Sequence, residues 1–228
     1  MRKIVKYMIH TCTAREEYVK NILVPSLVKQ GIKKSEIYVW MDLYSIGNLA
    51  SFVKSCKWIG STQEEDASIW HLQDDVYPSS RFKGVTERWY AGIANGFCNE
   101  KFDGERTNYI GNVPVSGSWF SFQCILIPNK IAKRFADWFE SGKAKELFPE
   151  YVASGKCDDS LFREYVMANE AKTPAINLFP NIADHIDFLI GGTVINKQRL
   201  GKKRQAYWRD EELDKAVEEL KAKLEMKD

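Results

Sequence analysis

Three apolar runs, each ending in small polar or acidic residues and each separated from the next by a helical stretch, constrain this chain's fold most. The first is Ile4-Val5-Lys6-Tyr7-Met8-Ile9-His10-Thr11-Cys12, with Thr13 and Arg15 just after it. The second, Glu36-Ile37-Tyr38-Val39-Trp40-Met41-Asp42, ends in an acid. The third runs through Trp70-His71-Leu72-Gln73 into Asp74-Asp75, and Pro78 stops any continuation. Helical patterns fill the gaps, from Arg15 to Gln30 and from Asn48 to Trp58. Pro25 is expected to kink the first of these, and Gly31 to close it as the residue after the C-cap. Continuous apolar strands alternating with helices predict an α/β domain with a mixed, mostly parallel sheet flanked by helices.

In open sheets of this kind, ligands bind outside the carboxyl ends of the strands. Here three such ends carry Thr11, Thr13 and Arg15, then Asp42, then Asp74 and Asp75. Adjacent carboxylates repel one another and are costly to bury unpaired. At a strand tip they make sense if a divalent cation sits between them and a polyphosphate, because hard cations take oxygen ligands. Asp-Asp before Tyr77-Pro78 is also ordinary turn chemistry, and the convergence of three polar strand ends is what favours a site. No glycine-rich dinucleotide loop and no Walker lysine follows the first strand, so those modes of phosphate binding are disfavoured. A metal ion is then the remaining neutraliser of a pyrophosphate.

The later chain continues the alternation. Residues 81–97 read as a helix with Trp89, Ile93 and Phe97 on one side, and 99–108 as loop. Phe120, Phe122 and Cys124 alternate into a strand ended by Pro128, and a helix from Ile131 to Glu140 is expected to bury Phe135, Trp138 and Phe139. Asp158 or Asp159 is placed to cap a helix that begins near Leu161. As isolated residues, an acidic cap and a lone His185 have ordinary structural roles. Residues 210–227 form an amphipathic helix through Leu213, Ala216, Val217, Leu220 and Leu224, which divides the chain into a domain over 1–205 and a tail over 206–228. The tail's apolar stripe can pack on the domain or on a partner, a homo-oligomer included.

Net charge is +2, which predicts no strong attraction to nucleic acid or to a membrane surface. The five cysteines form no close Cys-x-x-Cys pair, which favours reduced thiols in a cytoplasmic protein. No run has signal-peptide character, and none approaches the ~18 apolar residues of a membrane span.

With these pieces in order, the chain resembles a small GT-A-fold glycosyltransferase of the nucleotide-diphospho-sugar transferase superfamily, a Rossmann-like fold. The similarity spans roughly residues 3–196, and its carriers are Thr11-Cys12-Thr13-Ala14-Arg15, Leu23-Val24-Pro25-Ser26-Leu27, Leu72-Gln73-Asp74-Asp75-Val76, Gly117-Ser118-Trp119, Asp158-Asp159-Ser160-Leu161-Phe162, and Pro180-Asn181-Ile182-Ala183-Asp184-His185-Ile186. The resemblance implies transfer of a sugar from a nucleoside diphosphate sugar to a glycan or other hydroxyl acceptor, assisted by Mn²⁺ or Mg²⁺. It implies that Thr11, Thr13 and Arg15 contact nucleotide or phosphate and that Asp42 contacts base or ribose. Gln73, Asp74 and Asp75 stand where the family has its Asp-x-Asp element, with Gln73 in the first acidic place, one formal charge fewer. Metal ligation falls to Asp75 first, then Asp74, with His185 matching a late histidine ligand. Asp159 matches the carboxylate base of inverting members, with Asp158 as substitute, and Trp119 matches an acceptor platform, with Trp89 a second candidate. Two alternatives stay open: a non-catalytic nucleotide-sugar-binding or assembly protein of the same fold, and a nucleotidyltransferase, although Thr11 to Glu17 has no glycine for the latter's loop.

Overall fold

The computed structural model describes residues 5–98, 111–114, 122–155, 158–190 and 209–225. The first half follows the expected alternation. Strand β1 (Tyr7–Cys12) leads into a helical run that opens with a tight turn over Thr13–Arg15, continues as α1 (Glu16–Tyr18), widens to a π-turn over Val19–Leu23, and ends as α2 (Val24–Lys29). The widening sits just before Pro25, whose missing N–H cannot join the ordinary ladder. Gly31, at φ +87°, closes the run. Then come β2 (Ile37–Asp42), α3 (Asn48–Thr62) and β3 (Ser68–Gln73).

Beyond the acid pair lie β4 (Val76–Pro78), a short α4 (Phe82–Thr86), β5 (Ile93–Asn95), β6 (Gly111–Pro114) and β7 (Cys124–Pro128). The helices α5 (Asn129–Glu140), α6 (Lys143–Leu147), α7 (Pro149–Ser154) and α8 (Asp158–Asn169) follow, then β8 (Ala175–Phe179), β9 (Ala183–His185) and α9 (Glu211–Glu225).

Among the described residues, seven strands form one sheet in the order β2-β1-β3-β7-β5-β8-β6, and β4 pairs with β9 in a separate ribbon. β1 runs parallel to β2 and β3, and β5 parallel to β8, while β7 and β6 run against their neighbours. The sheet is thus mixed and mostly parallel. Alternation along β1 explains the two helix layers. Tyr7 and Ile9 join Tyr18, Leu23, Leu27, Phe82, Val217 and Leu220 on one face. Met8 joins Phe52, Ile59, Phe135 and Phe162 on the other, under α3, α5 and α8. Burying each such side chain contributes ~1.5–3 kcal/mol.

The helix expected over 81–97 is a correction. Only Phe82–Thr86 is helical, and Ile93–Asn95 is a strand. Ile93 and Phe97, placed on one helix face by sequence spacing, pack in opposite layers, and Trp89 is 86% exposed. Ladder bonds to β7 and β8 outweigh the local helical pattern, and the glycines make room for them. Gly96 donates its N–H to the Cys124 carbonyl at 2.8 Å and accepts the Ile182 N–H at 2.9 Å. A Cβ there would lie 2.7 Å from Cys124 Sγ. Of the strand expected through Phe120, Phe122 and Cys124, residues 118–121 lie outside the described residues, Phe122 and Gln123 form a bend, and β7 starts only at Cys124. Cys12, Cys56, Cys98 and Cys124 are free thiols, and no helix among the described residues is long and apolar enough to cross a membrane. The amphipathic tail helix packs on β4 and β9, with Leu213, Val217 and Leu220 buried.

Candidate functional site

The sharpest concentration of polar chemistry lies where β1 and β3 end. Asp74 and Asp75 form the turn between β3 and β4, and the local chain is fixed on three sides. The Ile186 N–H donates to the Asp75 carbonyl at 2.8 Å, the Tyr18 hydroxyl donates to the Val76 carbonyl at 2.9 Å, and Val76 sits opposite His185 in the β4–β9 ribbon. Proline at 78 and the short ribbon stop β3 from continuing as a strand, so the acids occur at a turn held rigidly beside the sheet edge.

The two carboxylates have different neighbours. Asp74 Oδ2 accepts the Thr11 hydroxyl at 2.8 Å and the Cys12 N–H at 3.4 Å. Burial, then the charge of Asp75, pushes its carboxyl up to about 7 despite these donors and Arg15. Asp75 Oδ2 lies 3.0 Å from His185 Nε2. Burial alone would raise Asp75, but the imidazole's charge and hydrogen bond outweigh it and hold the carboxyl below the usual carboxylate range. For His185 the same pairing overcomes burial and lifts the imidazole to about 9. Asp187 Oδ1 stands 3.4 Å from His185 Nδ1, so the ring is flanked by carboxylates on both nitrogens. The buried Arg15 guanidinium donates to the Ile190 carbonyl and lowers both acids electrostatically.

A divalent cation fits this donor set in one particular way. Among the described residues, no three His, Cys, Asp or Glu side chains form a ready metal cage. Asp75 Oδ1 is nevertheless buried with no hydrogen-bond partner, although 16% of the side chain is exposed. A buried unpaired carboxylate oxygen costs on the order of 1–3 kcal/mol. Magnesium-type cations characteristically use one or two protein carboxylates and fill the remaining positions with water and phosphate. The corner of Asp75, Asp74 and His185 therefore offers carboxylate and imidazole donors with coordination positions left over. Asp187, 3.4 Å from Nδ1, adds negative charge on the side of the ring away from that corner.

The other sequence-derived residues distribute around this corner. Thr13 is exposed on the turn after β1. Asp42 pairs in register with Cys12 at the adjacent strand end, and its two oxygens accept the Ile46 N–H at 3.1 Å and the Gly47 N–H at 3.3 Å, closing the loop into α3. Gln73 sits beside His10 in the β1–β3 register. Asp158 and Asp159 open α8 in the opposite helix layer. Asp158 is buried, and burial plus Asp159 raises its carboxyl to about 7. Asp159 is half-buried, with Oδ1 accepting the Ser160 N–H at 2.7 Å. Trp119 lies outside the described residues.

Sequence reasoning missed two groups. Asp187 and the fully buried Asp184 surround His185, and Arg209 stands 2.7 Å from Asp184. The acids flanking His185 were visible in the sequence, but nothing local pointed to Arg209. On the other sheet face, His10 Nδ1 lies 3.3 Å from His71 Nε2, and His10 Nε2 lies 2.7 Å from Ser51 Oγ. The Trp40 indole N–H also donates to Ser51 Oγ, at 3.1 Å. Burial lowers both imidazoles, His10 to about 4 and His71 to about 3, so both are neutral at pH 7.

No family model matches the chain, and no curated protein matches it. Among solved structures, it is similar to the glycosyltransferase GlyE of Streptococcus pneumoniae TIGR4, at a TM-score of 0.41 and 11% identity over 76% of this chain. The match spans 45% of the GlyE chain. A likeness of that size carries no functional argument; the function is read from the site itself.

Proposed function

We propose that this chain is a metal-dependent glycosyltransferase that moves a sugar from a nucleoside diphosphate sugar to an acceptor hydroxyl. The observation that carries the reading is the rigid acid pair at the sheet's carboxyl edge, with an unpartnered buried Asp75 oxygen beside His185. Asp75, Asp74 and His185 would hold Mn²⁺ or Mg²⁺. When bound, the cation supplies Lewis-acid stabilisation of the charge on a leaving diphosphate.

The chain's own residues do the rest. Arg15, buried beside the acids, adds positive potential where phosphate arrives. Thr11 orients Asp74 through its hydroxyl, and Thr13 is open to the incoming nucleotide. To ligate, His185 would have to give up its proton, so cation affinity would fall as pH is lowered. Asp159 accepts the acceptor's hydroxyl proton, with Asp158 as the alternative base; an inverting displacement needs one carboxylate within hydrogen-bond reach of that oxygen.

Titrating a panel of nucleoside diphosphates by thermal shift, with and without Mn²⁺, tests the reading. Binding to the native state raises apparent stability by mass action. A Mn²⁺-dependent upward shift supports the proposal, and equal curves with and without metal overturn the cation seat. A second reading, a nucleotide-sugar-binding protein without turnover, is favoured by Gln73, which removes one charge from the acidic element. It predicts the Mn²⁺-dependent shift with no slow hydrolysis of any donor.

A further inference from the structure

We propose that Arg209 is a positioning residue for His185, and that the C-terminal helix α9 acts through it as a clasp on the acid-pair site. This deepens the reading of Asp75 and His185 as a cation seat. Arg209 Nη1 lies 2.7 Å from Asp184 Oδ2, and Asp184 is fully buried. The other oxygen of the same carboxylate, Oδ1, accepts the backbone N–H of His185 at 2.9 Å. One side chain thus couples the guanidinium to the backbone of the residue whose ring touches Asp75.

Arg209 is itself anchored. Its Nε lies 2.6 Å from Asp214 Oδ1 in the first turn of α9. The helix is fastened beyond that point by the burial of Leu213, Val217 and Leu220. Two further ties join its start to the segment after β4: Arg81 Nε to Asp210 Oδ2 at 2.7 Å, and the Ser80 hydroxyl to Glu212 Oε2 at 2.6 Å. Arg81 also donates through Nη2 to the Pro180 carbonyl at 2.7 Å and the Asn181 carbonyl at 2.9 Å, just before β9. The helix therefore holds both strands of the ribbon, β4 carrying the acid turn and β9 carrying His185. A buried carboxylate deprived of its cation either protonates or turns toward water. Either change alters the group that fixes the His185 backbone.

The test uses the full chain with Arg209→Gln, Arg209→Lys and Ile131→Ala. Two signals are read: Mn²⁺ affinity by electron paramagnetic resonance of the free ion, and the His185 imidazole ¹⁵N resonances in metal-free protein, assigned with His185→Gln. Arg209→Gln is expected to weaken Mn²⁺ binding about tenfold or more and to move the His185 resonances. Arg209→Lys, which keeps the charge but not the planar fork, restores part of both. Ile131→Ala, a buried position of α5 in the opposite layer, lowers the melting temperature and leaves both signals in place. A melting-temperature loss in Arg209→Gln with unchanged Mn²⁺ affinity and unchanged His185 resonances overturns the proposal. If Arg209→Gln does not fold, Arg209→Lys decides by the same two signals. Wild-type protein that takes up no Mn²⁺ sinks the cation seat, and the imidazole resonances alone then decide whether Arg209 positions His185.

Discussion

The two faces of the sheet at the ends of β1 and β3 carry histidines in opposite situations. On one face, Ser51, His10 and His71 form a chain of neutral groups. Since the Trp40 indole can only donate to Ser51 Oγ, the serine proton is free to go to His10 Nε2, and His10 Nδ1–H then points to His71. On the other face, His185 is lifted to about 9, pressed between Asp75 and Asp187, while Asp75 Oδ1 has no partner. The first arrangement is a run of neutral groups facing one another, with His71 Nδ1 left without a hydrogen-bond partner. The second retains charge and an unused acceptor, which is what a site awaiting a cation requires. Each arrangement leaves a buried polar atom unpaired, His71 Nδ1 in the first and Asp75 Oδ1 in the second, so charge is what separates them.

The largest expected effect breaks the open face. Asp75→Ala is expected to abolish Mn²⁺-dependent nucleoside diphosphate binding, as read by calorimetry, while the protein stays folded by circular dichroism. Asp159→Asn, in the layer beneath the closed face, is expected to lower turnover by on the order of 10²–10⁴ at unchanged donor affinity. Donor binding lost along with turnover would reassign Asp159 to the donor site or the fold.

On the closed face, His71→Ala is expected to cost about 2–4 kcal/mol in denaturant unfolding, because it opens a cavity and strands His10 Nδ1, with nucleotide affinity unaltered. The same pair sets an acid limb. Imidazoles with native pKa depressed to about 4 and about 3 stabilise the fold above their unfolded value of 6.5. That contribution is lost as pH falls from 6.5 toward 3, where the unfolded chain binds more protons. His71→Ala should flatten that limb.

The smallest effect concerns Asp158, whose native carboxyl titrates at about 7 against an ordinary 3.8. Here the native state binds more protons than the unfolded chain between those values, so stability falls as pH rises through the window. Asp158→Asn is expected to be more stable than wild type by about 1–3 kcal/mol at pH 8 and no more stable at pH 4. Equal melting temperatures at pH 8 would place the Asp158 carboxylate in contact with water.

Elements with a strong local signature were legible in the sequence. β1, β2 and β3 announced themselves as apolar runs ending in polar residues, and Gly31 and α9 followed their periodicities. Residues 81–97 were not legible, because Ile93-Ala94-Asn95 becomes a strand only by pairing with β7 and β8, from distant parts of the chain. The acid turn was visible as a dipeptide, and His185 entered through resemblance. Asp187 and Arg209 acquire meaning only once β9 is laid against β4. His10 and His71 each looked like an isolated polar residue in an apolar strand, and only the parallel pairing of β1 with β3 brings them within reach of one another.

Arg15 and Ile190, whose guanidinium and carbonyl meet at the site, are 175 residues apart. During synthesis, therefore, β1 and β3 emerge from the ribosome long before the segment that supplies His185. A nascent chain halted at residue 180 would hold Asp74 and Asp75 side by side with no imidazole to offset their repulsion. Such a chain would complete the corner only once residues 181–190 had followed, so a product truncated before them has the acid pair without its histidine.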